Sequence, residues 1–305
     1  MIDTLRRSFE QLYAQVLETE LGKLPSHVAV IQDGNRRYAD TLGVETTKGH
    51  RAGADTTESL LRWCNELGIE EVTLYAFSTE NFHRPPDERE ALFDLITEKL
   101  REFADADDIH DNEVRIRAIG NTSELPDRLR EAIHYANERT EGYDRLYLNV
   151  ALAYGGRAEL LEATREIARR VETGDLDPAA VDTETIETAL GDGPTQSVDL
   201  IIRSGGDERT SNFLPWQANG NEAAVYFSAP FWPEFSRVDF LRGLRTYGHR
   251  DESWRQTRIR RMRAFLTVLL RTLGKTWPTK TRMEGPQSNP ETDDESTEGS
   301  VDSAD

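Results

Sequence analysis

The chain of 305 residues holds one cysteine, Cys64, so no disulfide can form within it, and Cys and His are nowhere clustered as a zinc site requires. No apolar run of about 18 residues occurs, which removes a membrane-spanning helix from consideration. Neither GxGxxG nor GxxxxGKS/T follows an apolar stretch, so the usual mechanical basis for nucleotide binding is missing, and no nucleic-acid partner is expected. Lysine is scarce: five (Lys23, Lys48, Lys99, Lys275, Lys280) among 37 basic residues, against 56 acids and a net charge of −19. Setting aside the eight acids of the polar tail 284–305, which holds no base, still leaves −11. A carboxylate-rich, lysine-poor surface suits concentrated salt, where screening hides repulsion among acids. The composition points to a halophilic, archaeal cytoplasm; an ordinary acidic protein is the alternative. Residues 1–23 are charged and read as an amphipathic helix (Leu5, Phe9, Leu12, Val16) rather than a signal peptide.

What is present is alternation. Apolar segments near 27–32, 72–77, 114–119, 146–153, 198–203 and 223–228 read as strands. Helical patterns near 50–67, 87–104, 126–139, 157–172, 183–190 and 236–247 lie between or after them. Strands such as Val28 to Ile31 are apolar throughout, the mark of a sheet covered on both faces. The expectation is one α/β domain at 24–250 with a largely parallel sheet of about six strands flanked by helices. A basic-then-apolar helix at 251–283 and a disordered acidic tail at 284–305 follow it. Cys64 shares an apolar helix face with Leu60, Leu61 and Leu67 and reads as core.

Three strands run into polar clusters. The first ends in Asp33-Gly34-Asn35-Arg36-Arg37, the second in Ser78-Thr79-Glu80-Asn81 with Phe82, His83 and Arg84 behind it, and the third in Arg203, two glycines, Arg209 and Ser211. Arg forks match phosphate oxygens and Asp offers a hard oxygen ligand for Mg2+, so a shared anion pocket is the sharper reading. The bland one is a DGN turn and arginines paired with the abundant carboxylates.

The segments HVAVIQDGNRRYAD (27–40), GHRAG (49–53), TLYAFSTENFHRP (73–85) and IIRSGGDERTSNFLPWQ (201–217) resemble, in order and spacing, the cis-prenyltransferases, the undecaprenyl diphosphate synthase-like enzymes. The resemblance implies repeated condensation of isopentenyl diphosphate onto an allylic diphosphate primer. It implies Mg2+ on Asp33 and a phosphate cradle of Gly34, Asn35, Arg36, Arg37 and Tyr38, the last standing where Trp is usual. His50 would lie near the pyrophosphate as donor or proton shuttle, or be a plain helix N-terminal residue. Asn81 occupies the position linked to proton removal, though an amide is a very weak base and is better suited to orienting substrate. Ser78, Thr79, Glu80, Phe82 and Arg84 would form a mobile loop, and Arg203, Arg209, Thr210 and Ser211 would hold the second diphosphate. The helix carrying Leu92, Leu95, Ile96, Leu100 and Phe103 would line an apolar tunnel for a medium or long product.

This chain departs from the pattern where ANGNEAAVYF (218–227) carries about two extra residues; Glu222, the only acid there, is taken as the second metal ligand. Thr46 replaces an Arg, with Lys48 as a substitute phosphate contact. Asp107-Asp108-Ile109-His110-Asp111 spells DDxxD, a motif of an unrelated all-helical fold, and reads as accidental in so acidic a chain. The family implies a homodimer, and an archaeal setting favours geranylgeranyl over farnesyl diphosphate as primer. The helix near 254–273 suggests peripheral contact with anionic lipid, or docking on the protein's own body or a dimer partner. A non-catalytic partner subunit and an unrelated phosphate-binding α/β protein are the competing classes.

Overall fold

The computed structural model of the protein describes residues 2–191, 193–218, 222–250 and 261–269. Strands β1 (His27–Ile31) and β5 (Leu200–Arg203) are buried at every position. Val28, Val30, Leu200 and Ile202 enter one core, while Ala29, Ile31 and Ile201 enter another on the opposite face. Side chains alternate along a strand, so a run without polar interruption needs cover on both sides.

With β2 (Glu71–Ser78), β3 (Val114–Ile119), β4 (Leu146–Tyr154) and β6 (Ala224–Phe227), these form one six-stranded sheet of order β3-β4-β2-β1-β5-β6. Every neighbouring pair is parallel, as the strings of unbroken apolar residues led one to expect. The larger core is closed by α3 (Thr46–Leu67), α4 (Pro86–Asp105), α6 (Asp127–Arg139) and α9 (Arg237–Gly248), through Leu60, Leu92, Phe93, Leu129, Phe240 and Leu244. Truncating one such buried side chain to Ala costs about 2–5 kcal/mol. Cys64 belongs to this core, and burial pushes its thiol pKa up. Helices α7 (Gly156–Glu172) and α8 (Thr183–Leu190) fall where periodicity placed them.

Strand β1 lies between β2 and β5, so the winding direction reverses there. In open α/β sheets that reversal opens a crevice beyond the carboxyl ends of the strands, where ligands sit. Ile31 is level with Tyr75 on one side and Arg203 on the other, which brings the three polar clusters to one edge.

Two helices escaped the sequence pattern. α2 (Asn35–Leu42) starts directly after Gly34, whose φ of 103° sits at the N-cap, and it buries only Ala39, too little to print an apolar period. α5 (Asp107–Asp111) carries the DDxxD match; it buries Ile109, and its His110 Nδ1 lies 2.8 Å from the Tyr143 hydroxyl. At the N-terminal end, α1 (Ile2–Glu20) packs Leu12 and Val16 against Ala264 and Val268 of a helical segment at 261–269. That segment leaves Met262, Phe265, Leu266 and Leu269 exposed. The basic run Arg255, Arg258, Arg260 and the acidic tail lie outside the described residues.

Candidate active site

Asp33 follows β1 by two residues and Arg203 closes β5, and the strand register makes them meet: Arg203 Nη2 donates to Asp33 Oδ2 at 2.7 Å. Arg37, in the first turn of α2, reaches Oδ1 at 3.1 Å. The Asp33 backbone is pinned as well. Its N–H donates to Ser204 Oγ at 3.0 Å, and its carbonyl accepts from Ser204 Oγ at 2.8 Å and from the Trp232 N–H at 2.9 Å. Burial pushes the Asp33 carboxyl upward, but the hydrogen bond and charge of Arg203, joined by Arg37, outweigh it and hold the pKa below the ordinary Asp value. The group is ionised at neutral pH.

Arg203 is 3% exposed and engages both terminal nitrogens, while its buried Nε has no hydrogen-bond partner among the described residues. Nη1 donates to the Arg209 carbonyl at 2.6 Å and Ser211 Oγ at 2.5 Å, and Nη2 also reaches Asp207 Oδ2 at 3.2 Å. Asp207 in turn accepts from Arg209 Nη2 at 3.0 Å and lies 3.9 Å from Arg37 Nη2. Two carboxylates and three guanidiniums thus interlock, a geometry that needs the planar five-donor head of Arg and that Lys cannot copy. The turn between them brings backbone unusually close: Gly205 has φ 85°, and a Cβ there would fall 2.7 Å from Arg37 Nη2. Ser211, Asn212 and Leu214 hold positive φ without being glycine, strain of a kind that collects at ligand sites.

The opposite wall comes from the end of β2. Residues Thr79–His83 form a 3-10 turn capped by Ser78, whose N–H donates to Asn81 Oδ1 at 2.9 Å. With its oxygen engaged in the cap, Asn81 has its amide N–H groups to offer a ligand. Glu88 of α4 ties Arg84 (2.8 Å) and Arg36 (3.8 Å) together. Beside them, His50 is held down to a pKa of about 4, by burial first and by the charge of Arg84 and Arg36, with Glu88 opposing. Its buried Nε2 has no hydrogen-bond partner among the described residues.

These walls enclose a cavity of about 650 Å³ with a polar mouth and an apolar end. Asp33, Gly34, Asn35, Arg36, Arg37, His50, Ser78, Glu80, Asn81, Arg84, Arg203, Arg209 and Ser211 all line it. Tyr38, Thr79, Phe82, Thr210, Lys48 and the DDxxD residues are not among the lining residues. Phe82 instead packs edge-on against Phe77 at 5.0 Å in the core. Glu222 is exposed and outside the cavity wall, its backbone carbonyl accepting from Arg250 at 3.2 Å. Sequence reasoning passed over Asp207, although an acid inside SGGDER, between two arginines, was a usable signal. It also missed Ser204, the first residue of that same stretch, and Trp232, which carries no local signature; both brace the Asp33 backbone from distant parts of the chain.

A mouth of arginines around Asp33 and Asp207 suits a phosphorylated ligand, and an apolar end beyond it suits a hydrocarbon. The comparisons agree with that division. The family model described as undecaprenyl diphosphate synthase matches residues 31–255. A Halobacterium salinarum protein named tritrans,polycis-undecaprenyl-diphosphate synthase (geranylgeranyl-diphosphate specific) is 57% identical over 291 residues, covering 95% of this chain and 96% of its own. A Haloarcula marismortui protein of the same name is 61% identical over 257 residues, covering 84% of each. Among solved structures, lavandulyl diphosphate synthase from Lavandula x intermedia, in complex with dimethylallyl diphosphate, superposes with TM-score 0.68 at 32% identity, over 74% of this chain and 95% of that one. The chain therefore belongs to the undecaprenyl diphosphate synthase family of cis-prenyltransferases, as its four motifs implied.

Proposed function

We propose that the protein adds isopentenyl diphosphate repeatedly to geranylgeranyl diphosphate, giving a medium or long polyprenyl diphosphate that serves as precursor of a glycosyl carrier lipid. The carrying observation is the Asp33–Arg203 contact of 2.7 Å at the mouth of a cavity whose far end is apolar. Arg36, Arg37, Arg84 and His50 would hold the primer diphosphate, while Arg203, Arg209 and Ser211 would hold the incoming unit. Preorganised guanidiniums beside the breaking carbon–oxygen bond stabilise charge gathering on the leaving pyrophosphate. Asn81 would orient the isopentenyl unit through its amide N–H groups, and the proton would pass to the departing pyrophosphate. The geranylgeranyl choice draws on the names of the haloarchaeal relatives.

Mg2+ fits the donor set. Asp33 is an ionised hard oxygen ligand, and Asp207 reaches the same Arg203 nitrogen. No group of three or more His, Cys, Asp or Glu suited to a metal occurs among the described residues. That agrees with an ion held by one or two carboxylates plus substrate phosphates. When bound, Mg2+ would neutralise diphosphate oxygens in the leaving group. Glu222 is a weaker candidate, given its position outside the cavity.

We further propose a homodimer in the cytoplasm of a halophile, with the exposed Met262, Phe265, Leu266 and Leu269 as the face for peripheral membrane contact. No described helix is long and apolar enough to cross a membrane. A catalytically empty partner subunit is disfavoured because Asp33, Asn81, Arg203 and Arg209 all line one cavity. The test is incubation in high salt with Mg2+, labelled isopentenyl diphosphate and either geranylgeranyl or farnesyl diphosphate, with products separated by length. Elongation of the longer primer is expected; no elongation of either, by a protein shown to be folded, would overturn the reading.

A further inference from the structure

Beyond the polar mouth, α4 supplies much of the cavity wall with Leu92, Leu95, Ile96, Leu100 and Phe103, and among its lining residues one is ionisable, Lys99. Its Nζ lies 3.1 Å from Glu58 Oε1 on α3 and 2.8 Å from Glu102 Oε2 on its own helix. One residue earlier, Glu98 takes a two-point contact from Arg51 of α3, at 3.3 and 3.1 Å. Consecutive residues of α4 therefore grip points on α3 that lie about two turns, or ~10 Å, apart. The stretch of α3 between the grips carries Ala54 and Thr57, both on the cavity wall. Of the two grips, Arg51–Glu98 is well exposed, whereas the Lys99 side chain is only 19% exposed and borders the lumen.

We propose that the Glu58–Lys99 pair is a product-length determinant: it clasps α3 to α4 beside the apolar end of the cavity and closes the gap into which a longer chain would extend. The inference rests on the reading above, that the apolar end receives the growing hydrocarbon. The methylenes of Lys99 present apolar surface to the lumen, while Glu58 holds the ammonium on the wall and away from the chain. An ion pair suits this place better than a bulky apolar plug, because it fixes the distance between two helices without filling the space they enclose.

The test compares product lengths from the full chain with geranylgeranyl diphosphate and labelled isopentenyl diphosphate in high salt. Four variants are used: Glu58→Gln, Lys99→Met, Glu102→Gln and Ile96→Trp, each checked for folding by circular dichroism. Glu58→Gln and Lys99→Met should lengthen the major product by at least one five-carbon unit, with the rate of the first condensation in Glu58→Gln, whose side chain does not line the cavity, within about twofold of the parent. Glu102→Gln removes the closer partner of Lys99, at 2.8 Å against 3.1 Å for Glu58, but one that bridges no helices, and should leave the distribution unchanged. Ile96→Trp narrows the lumen and should shorten the product. Parental lengths in both clasp variants, with Ile96→Trp shortening, would sink the clasp while sparing the tunnel. Lengthening by Glu102→Gln as large as by Glu58→Gln would overturn it too, by tracing the effect to the charge of Lys99 alone. An unaltered product from Ile96→Trp would show that the chain does not run here, and would end the tunnel reading together with the clasp.

Discussion

Arg203 Nη2 stands 2.7 Å from Asp33 Oδ2, so the residue that closes β5 neutralises the acid that follows β1 before any ligand arrives. The pairing keeps an ionised carboxylate in a half-buried mouth and holds a buried guanidinium ready for phosphate. Both groups are aimed before binding, so little reorganisation is left for the reaction itself.

Asp33→Asn keeps the shape and removes the charge. It should lower kcat by about 10²–10³-fold while changing the KM for either diphosphate far less, because the loss falls on charge developed in the transition state. Arg203→Lys should fold yet lose at least about tenfold in kcat/KM, since one ammonium cannot span Asp33, Asp207, Ser211 and the Arg209 carbonyl. Steady-state kinetics with each diphosphate varied in turn decides both, and a parental kcat in Asp33→Asn would refute the role.

Gly205 and Gly174 share a left-handed backbone, φ 85° and 82°, but a Cβ meets Arg37 Nη2 at Gly205 and nothing within 4 Å at Gly174. Gly205→Ala and Gly174→Ala should each lose about 1–2 kcal/mol of stability from the conformation alone. Only the first should weaken diphosphate binding, because only there does a side chain displace Arg37. Denaturant melts and KM values for the pair separate the two effects.

The pKa of His50 falls from 6.5 to about 4 on folding, so the unfolded chain binds an extra proton between those values. Stability contributed by the neutral ring is complete above pH 6.5 and is lost as pH falls toward 4, by up to about 3 kcal/mol. Asp33 acts in the same direction at lower pH, since its folded pKa lies below its unfolded one. His50→Gln should therefore flatten the decline between pH 6.5 and 4. Equal slopes for parent and variant, in urea melts at constant high salt, would rule this out.

Glu71 is fully buried at the start of β2 and accepts from Arg117 Nη2 (3.0 Å), Asn149 Nδ2 (2.6 Å), Thr195 N and Oγ1 (2.9 and 2.8 Å) and Gln196 N (3.0 Å). Glu71→Gln places a donor where donors already converge and should cost about 2–4 kcal/mol. The site lies at the far ends of the strands, so the melting temperature should drop by several degrees while kcat stays near the parental value.

Much of this was legible in the chain. Unbroken apolar strands announced a sheet covered on both sides, and the polar clusters after β1, β2 and β5 announced the mouth, because each cluster is contiguous in sequence. α2 was invisible, since a short helix that buries one alanine prints no period. Glu222 was chosen as the only acid in its stretch, a criterion that carries no information on where its side chain lies relative to the cavity. Phe82 was assigned to the site because aromatic rings suit apolar substrates, but the same property lets it pack against Phe77 and Phe93.

Residue order alone determined the strands, their parallel pairing and the chemical character of each strand end, because these depend on local periodicity and on which side chains follow an apolar run. Tertiary structure alone decided that Asp33 and Arg203, 170 residues apart, share one hydrogen bond, that Ser204 and Trp232 hold the Asp33 backbone, and that Lys99 reaches Glu58 beside the lumen. Such contacts arise from strand order and helix packing, which bring distant segments together through the burial of shared apolar faces, and no local pattern records them.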